Sequence, residues 1–302
     1  MSQKQNILRI ARREYNPALV AVNSSAIRAL KLEPGSATLM ASGLAPAWLD
    51  RPLEAIAYFI ALNSINYRFW EKVEGEGEAS LRRYVFEGDK GAMGMRRAFD
   101  KVWGGSVTPD NFRAEPITAD WVTRHFGDIP DPESRAEILS SIFEGDTLER
   151  TAKAVYLRIV AERAVSADTA EMLHEAFPRA FSDAYMKRSQ LAVSWIAGYF
   201  AEAGHPVKVT DLTVFADYQV PRTLRALGLI DYCAELADDV DSYHLLEEFS
   251  PEELAIRAAT ILACEELAEA LGVTAAEVDN YLWLNRNLAS ATPFHLTETE
   301  EY

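Results

Sequence analysis

Apolar residues recur at three- and four-residue spacing along most of this chain, the period of a helix with one buried face. The clearest case lies near the C-terminus. Ser250-Pro251-Glu252-Glu253 supplies an N-capping serine, a proline suited to the first turn and a glutamate at the third position. Leu254, Ala258, Ile261, Leu262, Leu267 and Leu271 then keep helical register up to Gly272. Thr274-Ala275-Ala276-Glu277 repeats the capping box and opens a second helix expected to run to about Ala289, with Asp279 and Trp283 one turn apart on the same face. Further helices are predicted from Pro52 to Phe69, Lys90 to Val102, Leu148 to Val165 and Tyr185 to Ala203.

Strand patterns are scarce. Leu81 to Phe86, entering Glu87-Gly88-Asp89, is the best of them, so a small hairpin at most is expected. The stretch from Trp103 to Pro132, with Pro109, Pro116, Pro130 and Pro132, reads as loop-rich with short helices. No repeat or low-complexity tract divides the chain, so the reading is a mainly α protein forming a single domain over residues 1–302.

Composition narrows the function. A chain of 302 residues, 49% hydrophobic, can bury a substantial core. Its 46 acidic and 30 basic residues give a formal net charge of -16, which opposes extended contact with DNA or RNA but allows a local basic cluster to hold one small anion. Cys233 and Cys264 form no disulfide framework or CxxC pair, no apolar leader precedes Arg9, Arg12 and Arg13, and the longest apolar run, Ala55 to Leu62, is too short to span a bilayer. A cytoplasmic protein without membrane contact is expected. The five histidines stand singly, and no GxGxxG, Walker lysine loop or GxSxG elbow occurs.

Four segments stand apart from ordinary helix packing. In Phe215-Ala216-Asp217-Tyr218-Gln219-Val220-Pro221, an aspartate interrupts an apolar run just before a short helix expected to end at Gly228, with Val220 extended ahead of the proline. A carboxylate there, shielded by Phe215 and Tyr218, suits stabilisation of positive charge at a sugar carbon; an Asx-turn or helix cap is the structural alternative. Asn66-Tyr67-Arg68-Phe69-Trp70 offers amides and stacking surfaces for a planar heterocycle, or simply an aromatic helix end. Lys187-Arg188-Ser189-Gln190 puts two cations at a helix start, which favours an anion there; a solvated charged turn is the alternative. In Asp279-Asn280-Tyr281-Leu282-Trp283-Leu284 the aspartate fits the donor edge of a guanine-like base, or is an exposed helix aspartate beside a core tryptophan.

Together and in this order, the four segments resemble the queuosine salvage family, whose members carry Asn-Phe-x-Phe-Trp, Lys-Arg-Ala-Gln, Phe-Ala-Asp-Tyr-Arg-Val/Leu-Pro and Asp-Tyr-Tyr-Leu-Trp-Asp stretches; Glu175-Ala176-Phe177-Pro178 and the region from Leu224 to Leu236 also match. The resemblance implies a helical fold related to helix-hairpin-helix DNA glycosylases and a cofactor-independent N-glycosidase that releases queuine from a free nucleotide. It implies that Asp217 is catalytic, that Phe215 stacks on the base and that Asp279 accepts hydrogen bonds from it. Lys187 and Arg188 are assigned here to the 5'-phosphate. The chain departs from the family pattern at Asn280 and Leu284, which replace a tyrosine and an aspartate at the base site, and in lacking a histidine between Pro34 and Asp50. Loss of those polar partners bears on base specificity, and a related 7-deazapurine or another purine nucleotide is the alternative substrate. A non-catalytic helical binding protein is a further reading, and it predicts Asp217 exposed or salt-bridged away from any cavity.

Overall fold

The computed structural model describes residues 1–31, 48–104 and 110–302. Fourteen helices lie among them. In chain order these are α1 (Gln3–Glu14), α2 (Ser24–Ala29), α3 (Pro52–Ser64), α4 (Ala92–Trp103), α5 (Asp110–Arg113), α6 (Ala119–Phe126), α7 (Pro132–Phe143), α8 (Thr147–Glu162), α9 (Ala167–Ala176), α10 (Lys187–Glu202), α11 (Gln219–Ala226), α12 (Ala234–Asp241), α13 (Pro251–Leu271) and α14 (Ala275–Leu284). The mainly α class is therefore as expected, and no described helix is long and apolar enough to cross a membrane.

The punctuation of the C-terminal pair acts as its sequence implies. Ser250 Oγ accepts the Glu253 N–H at 3.3 Å, and α13 ends at Gly272 in the left-handed conformation, φ 67°. Thr274 and Glu277 form the reciprocal capping box of α14, with the Glu277 N–H on Thr274 Oγ1 at 3.2 Å and the Thr274 N–H on Glu277 Oε2 at 2.8 Å. The helix stops at Leu284, and a 3-10 turn over Arg286–Ala289 completes the predicted span.

Two helices form the frame. α3 has every residue from Ala55 to Ser64 buried, and it packs against α8 and α10. α13, buried over much of its length, packs against α1, α2 and α14. A helix apolar on all sides belongs inside a core rather than on its surface, which is why both runs read as near-continuous hydrophobic stretches.

Strands are more numerous than the single hairpin expected. β1 (Val20–Val22) pairs antiparallel with β8 (Ile230–Tyr232), β2 (Trp70–Lys72) with β3 (Leu81–Arg83), and β4 (Val85–Phe86) with β5 (Asp89–Lys90); β6 (Ala164–Val165) runs parallel to β7 (Lys208–Val209). Each spans two or three residues, too few for a polar–apolar alternation to register in sequence. The β4–β5 turn places Glu87 and Gly88 at φ 47° and 88°, the paired positive values of a tight hairpin. Beside it, Gly94 lets α4 approach so closely that a Cβ would meet the Asp89 carbonyl oxygen at 2.5 Å.

Candidate active site

Four segments far apart in sequence wall one cavity of about 740 Å³. The first is the exit from α3. Its C-terminal residues Asn66 and Tyr67 are buried, and Arg68 takes a positive φ of 30°. This turn is held from below by Arg135 of α7, which is completely buried. Its Nη1 donates to the Ile65 carbonyl at 2.7 Å and its Nη2 to those of Tyr67 and Arg68 at 2.8 and 2.9 Å, while Nε reaches the Pro130 carbonyl at 2.8 Å. The guanidinium carbon also lies 3.9 Å from the Tyr67 ring centroid. Four carbonyls and an aromatic face thus replace water around one buried charge.

The second segment is the start of α10. Asp183 accepts the Tyr185 N–H at 3.1 Å and the Lys187 N–H at 2.8 Å, satisfying donors that the helix end leaves open. Its Oδ2 also pairs with Arg257 of α13 at 2.7 Å, both side chains being buried. Lys187 Nζ turns inward and donates to the Asn66 carbonyl at 3.0 Å. Burial lowers the Lys187 ammonium from 10.5 to about 8, against the pull of Asp217 and Asp279. Gln190 bonds both the N–H and the hydroxyl of Thr213 at 2.9 Å, aligning the segment that leads to Asp217. Arg188, by contrast, is not on the cavity wall. It donates to the Ser64 carbonyl and lies 5.1 Å from the Tyr67 ring centroid.

Third comes Asp217 itself. Its Oδ1 accepts the N–H groups of Gln219 and Val220 at 2.7 and 3.0 Å. The capping alternative is therefore real, but it occupies one oxygen only. Among the described residues Oδ2 receives no hydrogen bond and the carboxylate makes no ion pair, while the side chain lines the cavity. An Asp217 exposed or salt-bridged elsewhere, as a non-catalytic protein would have it, is not what the structure contains. Val220 is helical rather than extended, because α11 begins at Gln219. Pro221 then falls in the first turn, where its missing N–H would have had no partner in any case.

The fourth wall is α14. Asp279 is buried and its Oδ1 accepts the Phe215 N–H at 2.9 Å, which fixes Phe215 on the lining. Burial raises the Asp279 carboxyl well above its ordinary value; the Phe215 N–H and Lys187 counteract this, and Asp217 adds to it. Asn280 is buried and Leu284 partly exposed, both on the wall. The site brings together Asp217, Phe215, Asp279, Asn280, Leu284 and Lys187, six of the seven residues expected there. The stretch from Pro34 to Asp50, where a histidine is missing relative to the family pattern, lies outside the described residues except for its last three.

A family profile described as queuosine salvage protein matches residues 47–300. The chain belongs to the queuosine salvage family. A queuosine 5'-phosphate N-glycosylase/hydrolase from Sphaerobacter thermophilus is 33% identical over 84% of this chain and 84% of its own length. One of the same name from Dictyostelium discoideum is 25% identical over 81% and 77%. Within this queuosine salvage chain, sequence reasoning missed Arg135 and Arg257, single charged residues in ordinary helical surroundings, and Asp183, in the turn ahead of α10, whose ion-pair partner Arg257 comes from a distant segment. It also missed Phe294 and Tyr302, which line the cavity from the C-terminal tail beyond the last helix.

Proposed function

We propose that the chain is an N-glycosidase that hydrolyses queuosine 5'-monophosphate to queuine and ribose 5-phosphate. The observation that carries this is Asp217, fixed by two backbone N–H groups at one oxygen and open to the cavity at the other. Breaking a glycosidic bond leaves positive charge on the anomeric carbon, and a fixed carboxylate stabilises that charge without reorganising. The base departs with the bonding electron pair and is protonated; water supplies the hydroxyl that ends on the sugar. Lys187 favours the ionised form of Asp279 against the effect of its burial. Phe215 stacks against the base, and Asp279 meets its polar edge.

The substrate is a small nucleotide rather than nucleic acid, in keeping with the net charge of -16, and cytoplasmic action fits a salvage reaction. Asn280 and Leu284, which differ from the family motif, set how well the base is distinguished from other 7-deazapurines. The test is to incubate the purified chain with queuosine 5'-monophosphate and with other purine and 7-deazapurine monophosphates, following free base by chromatography beside an Asp217→Ala control. Queuine release that needs Asp217 supports the reading. Release of a different base alone moves the specificity, and release of none from any nucleotide refutes it.

A further inference from the structure

Five consecutive backbone carbonyls at the end of α3 each accept a hydrogen bond from a buried cationic side chain. Arg188 donates to Ser64, Arg135 to Ile65 at 2.7 Å, Lys187 to Asn66 at 3.0 Å, and Arg135 again to Tyr67 and Arg68 at 2.8 and 2.9 Å. Ser64, Ile65, Asn66 and Tyr67 are themselves buried. The carbonyl end of a helix holds orphan acceptors and a partial negative charge, and burial takes water away as their partner. Three cations take its place. This also accounts for the adjacent cations that open α10 against that helix's own dipole: both are turned to the carbonyl end of α3.

The three are not equivalent. Of them, only Lys187 lines the cavity, where its ammonium counteracts the effect of burial on Asp279. Only Arg135 spans the turn. Its fork holds the carbonyls on either side of Asn66, and its guanidinium carbon lies 3.9 Å from the Tyr67 ring centroid, closer than the 5.1 Å of Arg188. The Asn66 side chain is turned back on the helix, donating to Asn63 Oδ1 at 3.0 Å, while its carbonyl faces α10. A planar fork fixes the direction of two acceptors at once, which a single ammonium does not.

We propose that Arg135, although off the cavity wall, is a positioning residue for the reaction: by gripping the carbonyls that flank Asn66, it aims the Asn66 carbonyl at Lys187 and so holds that ammonium at the base end of the cavity, beside Asp279. This rests on the glycosidase reading for the reaction, but the positioning is tested without turnover. The full chain is isotope-labelled at the lysine ε carbon, and the Lys187 resonance, identified by its loss in Lys187→Met, is followed by NMR against pH in the wild type, Arg135→Lys and Arg188→Lys. In parallel, the pH profile of kcat/KM is measured for base release from queuosine 5'-monophosphate, whose own titrations are common to all the proteins.

Besides the Asn66 carbonyl, Lys187 faces Asp217, Asp279 and Asp183, which favour its charge, and Arg188, which opposes it. None of these charges changes in either variant. Arg135→Lys gives up the fork, so the buried ammonium loses its fixed acceptor. Its midpoint falls from about 8 in the wild type to about 7, the scale of one hydrogen bond to a charged group, and the alkaline limb of kcat/KM moves down with it. Arg188→Lys retains the charge and a donor for the single bond to Ser64, and its profile stays with the wild type. Should Arg135→Lys not fold, Tyr67→Leu, which removes the ring against which Arg135 packs, moves the Lys187 signal in the same direction.

A folded Arg135→Lys or Tyr67→Leu in which Lys187 titrates at or above the wild-type pH overturns the proposal, and so does an equal fall in Arg188→Lys. If Lys187 responds to Arg135 as described while the wild type releases no base, the positioning of the ammonium stands and the glycosidase reading falls.

Discussion

Replacing Lys187 by methionine changes stability in a way that depends on pH, and both sign and size follow from the site. The lysine is buried and its ammonium is lowered from 10.5 to about 8. Between those values the unfolded chain holds a proton that the folded chain has released. Stability therefore rises with pH across that window, and below it the protonated lysine carries its full penalty. At pH 7 this amounts to about 3 kcal/mol, and at pH 9.5 to roughly 1.4 kcal/mol. Methionine removes the penalty but leaves the Asn66 carbonyl, now 3.0 Å from Nζ, without its donor, at a cost of about 1–3 kcal/mol that does not vary with pH. The variant is accordingly equal to the wild type or modestly more stable at pH 7, and it loses about 2 kcal/mol of that standing by pH 9.5. Urea unfolding of both proteins at the two pH values measures the difference, with titrating groups that do not interact with Lys187 cancelling between them. A stability gap that is the same at pH 7 and pH 9.5 would refute the reasoning, because it would mean that Lys187 titrates normally in the fold.

Asp183→Asn leaves Arg257 buried without its partner at 2.7 Å, with Glu253 at 3.8 Å as the remaining carboxylate. A loss of about 3 kcal/mol is expected from breaking a buried pair, seen as a lower denaturant midpoint at unchanged slope; a change below about 1 kcal/mol contradicts it. Burial, with the charge of Arg257 adding to it, lowers His295 from 6.5 to about 3. The unfolded chain then takes up a proton below 6.5 that the folded chain refuses, so stability is lost as pH falls. His295→Phe removes roughly 2 kcal/mol of the loss between pH 7 and pH 5, and matched acid profiles of variant and wild type exclude the idea.

What could be read in the sequence is what local chemistry encodes. Ser250, Pro251, Gly272 and the Thr274–Glu277 pair mark helix ends through contacts within four residues, and the ends of α13 and α14 fall where those residues put them. Asp217 was legible as a carboxylate in a turn ahead of a helix because its partners, Gln219 and Val220, are its immediate neighbours. The reading of Pro221 as forcing Val220 into an extended conformation erred, because the Asp217 side chain captures the first helical N–H groups and starts the helix two residues earlier. Arg135 was invisible. Its acceptors at Ile65, Tyr67 and Arg68 lie nearly 70 residues away, and nothing around it in α7 marks it as buried. The same holds for Phe294, which joins Asp217 on the cavity wall only once the C-terminal tail has folded against it.

Site chemistry was legible in type more than in arrangement. Lys187 and Arg188 read alike as adjacent cations at a helix start. In the fold one lines the cavity near its carboxylates, while the other is buried against the Ser64 carbonyl and the Tyr67 ring, off the cavity wall.

The most direct test of the central claim is Asp217→Asn under single-turnover conditions with queuosine 5'-monophosphate. Asparagine keeps an oxygen for the Gln219 and Val220 N–H groups, so the start of α11 survives and only the negative charge is lost. The account predicts a fall of about a thousandfold in the rate of base release with substrate affinity little changed, the scale of removing a fixed charge aimed at the reacting carbon. A variant that releases base at close to the wild-type rate would show that the carboxylate is a helix cap and nothing more.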